Sequence, residues 1–165
     1  GTSVLAANVV PGPLSPLGHG FSSFLKPYKV FTVGGQSVGV IGIDIKQKTM
    51  VSSRPDKGTV LLDELTTAQH YIDVLSSAGI DKIVLLSHYG YSNEIFMAQK
   101  LIGVDIIVGG DSHTLLGDPN DGGAIGQTPK GPYPTIVTNA AGTNVCIIQA
   151  WEYAHILGQL HVEFD

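Results

Sequence analysis

A chain of 165 residues is long enough to bury one hydrophobic core and is typical of a single domain. Hydrophobic residues make up 43% of it and charged residues only 14%, which argues against intrinsic disorder. The net charge of −5 argues against a broad surface for nucleic acid or anionic lipid. No apolar run approaches the roughly 18 residues that a membrane span requires. The abundant glycine and proline favour a loop-rich α/β domain.

The first third of the chain is predicted to form β-structure. Residues 3–10 are mostly apolar and predict a core strand. Residues 29–33 and 38–43 flank the sequence Gly34-Gly35-Gln36, and two apolar runs separated by glycines are typical of a β-hairpin.

A polar stretch and a helix follow. Residues 46–57 are polar and are predicted to form a loop. From residue 60 to residue 78, apolar side chains recur at steps of three and four, which predicts one buried helical face. These side chains are Leu61, Leu65, Ala68, Ile72 and Leu75.

The middle of the chain has the order strand, helix, strand. Residues 81–87 and 104–108 are predicted strands, and residues 93–101 are a predicted short helix between them. Such a unit predicts a right-handed crossover between two parallel strands.

The last third is predicted to consist of a long loop and three strands. The loop covers residues 116–134 and is rich in glycine and proline; loops of this length in compact domains are often functional. Strands are predicted at 135–138, 145–149 and 157–164. Because predicted strands lie close to both ends, we expect the chain to be a piece of a longer protein.

Two predicted strand ends carry side chains that bind metals. His88 follows the strand at 81–87, while Asp111 and His113 follow the strand at 104–108, in the sequence Gly109-Gly110-Asp111-Ser112-His113. Open α/β sheets carry ligands at the carboxyl ends of strands, and imidazole and carboxylate groups suit divalent transition metals. His88, Asp111 and His113 are therefore candidate metal ligands.

Simpler interpretations of these residues exist. A histidine after a strand is often a hydrogen-bonded loop residue, and Asp111-Ser112-His113 could form an ordinary turn. His70 lies on the predicted helix at 60–78 and is interpreted as a solvated side chain.

The order of these segments resembles the 5′-nucleotidase branch of the calcineurin-like metallophosphoesterases. The resemblance covers nearly the whole chain. The segments that carry it are Val4-Leu5-Ala6-Ala7-Asn8-Val9, Val38-Gly39-Val40-Ile41-Gly42, Leu86-Ser87-His88-Tyr89-Gly90, Val108-Gly109-Gly110-Asp111-Ser112-His113-Thr114, Tyr133-Pro134-Thr135-Ile136-Val137, Gln149-Ala150 and Leu157-Gly158.

The resemblance implies a four-layer αββα sandwich with two divalent metal ions (Zn, Mn, Co or Mg). Residues 1–165 would be the C-terminal part of this catalytic domain. His88 would bind one metal; Asp111 stands where many members have histidine, and His113 where members have histidine, asparagine or glutamine. The family's first metal-binding motifs would precede this chain, and its C-terminal nucleotide-binding domain would follow it.

The resemblance also implies hydrolysis of nucleoside 5′-monophosphates by the parent protein, which would be extracellular, secreted or periplasmic. The isolated chain is expected to be inactive and to need the preceding segment, or self-association, as a partner. The alternatives are a non-catalytic remnant or interaction module with the same fold, a 2′,3′-cyclic phosphodiesterase, or a nucleotide-sugar hydrolase.

Overall fold

The computed structural model describes residues 2–17, 24–118, 120 and 126–164. These residues form an α/β fold with a mixed six-stranded sheet and two small two-stranded sheets, which confirms the predicted class. The strands are β1 (Val4–Leu5), β2 (Val9–Val10), β3 (Leu25–Lys26), β4 (Tyr28–Val33), β5 (Gln36–Asp44), β6 (Val60–Leu61), β7 (Lys82–His88), β8 (Ile106–Val108), β9 (Thr135–Thr138) and β10 (Asn144–Ile148). The helices are α1 (Lys46–Lys48), a π-helical turn (Thr49–Ser53), α2 (Glu64–Ser77) and α3 (Tyr91–Lys100).

The central sheet has the strand order β4-β5-β7-β8-β10-β9. Strands β5, β7, β8 and β10 run parallel, and the edge strands β4 and β9 are antiparallel to their neighbours. Helix α3 connects β7 to β8, so the predicted parallel crossover is confirmed. The four parallel strands therefore bring their carboxyl ends to one edge, where Asp44 of β5 is level with His88 of β7.

The two faces of this sheet differ in burial. One face packs on α2 and α3 through a core of Ile41, Ile43, Ile83, Leu85, Ile107, Val145 and Ile147 with Ala68, Ile72, Leu75, Met97, Ala98 and Leu101. The alternate residues on the other face are also apolar but are only partly buried: Val40, Val84, Leu86, Ile106, Val108 and Ile148. Leu86 keeps 42% of its surface exposed. Within the described residues, the second face is thus apolar and incompletely covered.

The predicted hairpin is confirmed. Strands β4 and β5 pair in antiparallel fashion up to Val33 and Gln36, leaving Gly34 and Gly35 as the turn. Both glycines have positive φ angles, 57° and 81°, and glycine meets this requirement of tight hairpin turns at low cost.

The two long helices are confirmed with shifted starts. Helix α2 begins at Glu64 rather than near residue 60, because the Asp63 side chain caps it by accepting a hydrogen bond from the Thr66 N–H. The residues before this cap form β6, which pairs with β2. Helix α3 begins at Tyr91, directly after Gly90.

The prediction of one strand over residues 3–10 was wrong. The segment divides into β1, which pairs with β3, and β2, which pairs with β6. Asn8 lies between them, fully buried, and its side chain bonds to the backbone N–H and C=O of Asp44. These hydrogen bonds require Asn8 to face the Asp44 backbone, which interrupts the strand, because a buried amide without hydrogen-bond partners would cost stability.

Two further element predictions were wrong. Residues 46–57 contain α1 and the π-helical turn, anchored where Thr49 donates to the Asp44 carboxylate and Lys46 N–H donates to Glu64. Residues 157–164 form no strand, because no backbone pairing joins them to another described segment. The loop at 116–134 has no helix or regular strand in its described part; residues 119 and 121–125 lie outside it. None of the described helices is long and apolar enough to cross a membrane.

Candidate metal centre

The structure brings His88 and Asp111 together. His88 is the last residue of β7, and Asp111 lies three residues beyond the end of the neighbouring strand β8. Nε2 of His88 is 3.4 Å from Oδ1 of Asp111, with the imidazole largely exposed and the carboxylate only 13% exposed. The carboxyl edge of the sheet therefore presents an imidazole and a carboxylate side by side.

His113 lies elsewhere on the same loop. Its Nδ1 atom is 3.1 Å from Oε2 of Glu152, and its ring packs edge-on against Tyr153 at 5.2 Å between centroids. The sequence analysis did not identify Glu152. Glu152 follows the end of a predicted strand, but only the parallel pairing of β10 with β8, which the sequence did not predict, brings it to this edge.

Lys48 is the other residue that the sequence analysis missed. Its ammonium group contacts Oδ1 of Asp111, the same oxygen that faces His88. Lys48 belongs to α1, within the stretch that the sequence predicted as a loop, so its position could not be inferred from strand ends. In this structure the carboxylate of Asp111 is thus neutralised by a side chain of the chain itself.

The loop that carries Asp111 and His113 requires its glycines. A Cβ atom on Gly109 would lie 2.1 Å from the Glu94 carboxylate, and one on Gly110 would lie 3.1 Å from Nδ1 of His88. The buried Glu94 accepts a hydrogen bond from the Gly110 N–H. Burial raises the pKa of the Glu94 carboxyl, and the Gly110 N–H opposes this shift. Glycine therefore allows the loop to approach α3 closely.

The imidazole of His88 and the carboxylate of Asp111 are suitable ligands for a divalent transition metal, but two ligands are too few to hold one. Imidazole and carboxylate groups are ligands that such ions accept. A protein site for such an ion usually has three or four protein ligands. Among the described residues, no group of three His, Cys, Asp or Glu side chains is close enough to hold one ion. In the part of the chain that the structure describes, the edge thus presents candidate ligands but no complete metal site.

Comparison with known proteins identifies the relatives. No protein-family model matches the chain. A probable 5′-nucleotidase of Treponema pallidum is 41% identical over 162 residues, which are 98% of this chain and 26% of the relative. Among solved structures, NAD nucleotidase of Haemophilus influenzae matches with a TM-score of 0.82 and 39% identity, over 90% of this chain and 28% of that chain. A 5′-nucleotidase precursor of Thermus thermophilus matches with a TM-score of 0.81 and 41% identity, over 91% of this chain and 28% of that chain.

The chain is homologous to 5′-nucleotidases over nearly its whole length. It spans only about a quarter of the length of these relatives. A calcineurin-like phosphoesterase of Bacillus subtilis has the same fold over 90% of this chain (TM-score 0.60) at 19% identity. The resemblance inferred from the sequence motifs is confirmed to this extent.

Proposed function

We propose that this chain is the C-terminal part of the catalytic domain of a metal-dependent phosphoesterase that hydrolyses nucleoside 5′-monophosphates. The observation that carries the proposal is the pairing of His88 with Asp111 at the carboxyl edge of the sheet, in a chain homologous to 5′-nucleotidases. His88, Asp111 and His113 would hold divalent ions together with ligands from a preceding segment.

The partly open sheet face supports the fuller architecture. In a four-layer αββα sandwich, a second sheet would cover the apolar face that contains Val84, Leu86 and Val108. These side chains are incompletely buried here, although apolar surface of this kind is normally covered. The occupant that we propose is a sheet formed by a segment flanking residues 1–165. The chain alone would then associate with itself or require that segment.

The side chains at the edge have distinct proposed roles. His88 and Asp111 would bind the metal, and Lys48, which contacts the Asp111 oxygen that faces His88, would give up that oxygen to the ion. A hollow of about 190 Å³ beside His88 is lined by Asp44, Ile45, Lys48, Thr49, Ser52, Ser53 and His88. Lys48, Ser52 and Ser53 offer hydrogen-bond donors to phosphoryl oxygens there, while the Asp44 carboxylate accepts from Thr49. When bound, divalent ions activate water and stabilise the charge that develops on the phosphoryl group.

A dinucleotide substrate is the second candidate. One relative that covers 98% of this chain at 41% identity is named NAD 5′-nucleotidase, from Haemophilus influenzae. A relative from Naja atra is a snake venom 5′-nucleotidase, 35% identical, and it supports a location outside the cytosol. A non-catalytic module is the third candidate, favoured by the contact of Lys48 with Asp111.

Phosphate release from AMP, and cleavage of NAD to nicotinamide mononucleotide and AMP, test the two substrate candidates. The assay uses the complete protein, meaning the chain with any segments that flank it in nature, with added Mn²⁺, Zn²⁺ or Co²⁺. We expect His88→Ala, Asp111→Ala and His113→Ala each to lower bound metal and to reduce turnover by orders of magnitude, because a displaced ion loses both of its catalytic roles.

The matched control is His70→Ala, since His70 is an exposed residue of α2 and should be silent. The isolated 165-residue chain is expected to be inactive. Wild-type turnover and metal content in both Asp111→Ala and His113→Ala would refute the site assignment. A complete protein that binds metal but neither releases phosphate from AMP nor cleaves NAD would favour the non-catalytic module.

A further inference from the structure

We infer that Gln149 and Glu94 are positioning residues: a buried amide–carboxyl pair that holds the loop at 109–114 in the conformation that presents Asp111 and His113. The inference rests on the proposed function, because it concerns the ligands assigned there. It assigns a role to two side chains that lie behind the candidate metal centre and do not belong to it.

Gln149 binds the loop at three successive alternate residues. Its Nε2 donates to the carbonyl of Gly110 at 3.2 Å. Its Oε1 accepts from the hydroxyl of Ser112 at 3.2 Å and from the backbone N–H of Thr114. Gln149 is almost completely buried and directly follows β10, so a rigid strand fixes its position. One side chain thus contacts every second residue of the loop.

The residues between these contacts are the two predicted ligands. Asp111 and His113 have φ angles of 67° and 50°, in the left-handed region that residues with a Cβ atom seldom adopt. Such conformations persist when the surrounding contacts over-determine them. The bonds from Gln149 to Gly110, Ser112 and Thr114 supply that restraint, since they fix the residues on both sides of Asp111 and of His113.

Glu94 holds the same assembly from the helix side. It is fully buried in α3. Its Oε1 accepts from the Gly110 N–H at 3.1 Å, and its Oε2 accepts from Nε2 of Gln149 at 3.5 Å. Both backbone polar groups of Gly110 are therefore bonded: its N–H donates to Glu94, and its carbonyl accepts from Gln149. Strand β10 and helix α3 are linked through the loop.

A second buried amide provides a matched control. Asn139 also bridges a turn: its Oδ1 accepts from the N–H groups of Ala141 and Thr143, and its Nδ2 donates to the carbonyl of Leu101. It is buried like Gln149, with 6% of its surface exposed against 3%, and its side chain makes no hydrogen bond to the loop at 109–114. If Gln149 only stabilised the fold, substitution of either amide would have the same consequences.

The experiment compares Gln149→Met with Asn139→Leu, which replace each amide by an apolar side chain of similar size. Mn²⁺ affinity is measured by calorimetry on the complete protein, and hydrogen exchange of the 109–114 peptide is measured without metal. For Gln149→Met we expect Mn²⁺ affinity to fall by about tenfold to a hundredfold, as for residues that orient metal ligands. We expect faster exchange at Thr114, and a lower kcat with little change in KM. Asn139→Leu should lower the melting temperature alone.

A second experiment exchanges the amide and the carboxyl between positions 149 and 94, so it does not depend on whether Gln149→Met folds. Gln149→Glu places two carboxyl groups in contact, so it should loosen the loop. Adding Glu94→Gln restores one amide and one carboxyl, so the double variant should recover part of the lost exchange protection and Mn²⁺ affinity. No recovery in the double variant, or unchanged exchange at Thr114 in Gln149→Met, would overturn the inference. Because exchange is measured without metal, it tests the inference even if no metal or nucleotide is bound.

Discussion

The imidazole of His113 and the carboxylate of Glu152 are paired, with Nδ1 of His113 3.1 Å from Oε2 of Glu152. A carboxylate accepts only from a protonated ring nitrogen, so a hydrogen bond between these groups would need the hydrogen on Nδ1 and would leave Nε2 with its lone pair. The residues on either side of Glu152, Trp151 and Tyr153, have φ angles of 62° and 49°. We therefore predict that Glu152 favours the tautomer of His113 in which Nε2 is available as a metal ligand.

Glu152→Ala should therefore weaken metal binding by about tenfold, because a carboxylate behind a metal-binding histidine orients the ring and raises its basicity. Mn²⁺ titration of the complete protein measures the affinity, and ¹⁵N NMR of the imidazole reports the tautomer. Glu163→Ala is the control, since Glu163 pairs with His161 at 3.5 Å where both side chains are exposed. An unchanged tautomer and affinity in Glu152→Ala would show that the contact with His113 has no orienting role.

Lys48→Met should strengthen metal binding. The ammonium of Lys48 contacts the Asp111 oxygen that a metal would use, so Lys48 competes with a cation for that carboxylate. Removing a unit charge about 4 Å from a solvated site favours a divalent cation by about 2 kcal/mol, or about thirtyfold in affinity at low salt. Lys100→Met, a change on α3 where the side chain lies over Phe96, should leave affinity unchanged. Weaker metal binding by Lys48→Met would mean that Lys48 supports the site instead of competing with the ion.

Asp63→Ala should destabilise the fold through the start of α2. Asp63 accepts hydrogen bonds from the N–H and hydroxyl of Thr66, and loss of such a cap costs about 1 kcal/mol. These bonds lower the pKa of the Asp63 carboxyl from 3.8, so its contribution is present above that pH and is lost as the pH falls through the lowered pKa. Urea denaturation measures the cost. Asp73→Ala, which removes only a bond from Gln69 on the same helix, should cost less.

Asp105→Asn should change how stability depends on pH. Burial raises the pKa of Asp105 above 3.8, although its Oδ2 accepts a hydrogen bond from the Ile83 N–H. The folded state therefore binds the proton more tightly, and stability falls as the pH rises from 3.8 through the raised pKa. Asparagine keeps an acceptor for Ile83 and does not ionise. The free energy of unfolding of Asp105→Asn, relative to wild type, should thus increase over this interval and then level off; a constant difference would contradict the shift.

The sequence by itself determined the elements that depend on short-range pattern. The hairpin followed from Gly34 and Gly35, since glycine accepts the positive φ of a tight turn. The β7–α3–β8 unit followed from apolar periodicity and from the handedness of such crossovers. That unit was enough to predict that His88 and Asp111 share one sheet edge, and the structure places their side chains 3.4 Å apart.

Only the tertiary structure decided which other side chains reach that edge. Lys48 meets Asp111 across 63 residues of sequence, and Gln149 meets Gly110 across 39. Glu152 likewise meets His113 only because β10 pairs with β8. Contacts between such distant residues depend on how the strands are ordered in the sheet, and local composition does not encode that order. The division of residues 3–10 into two strands has the same cause, because the burial of Asn8 against Asp44 outweighs a continuous apolar pattern.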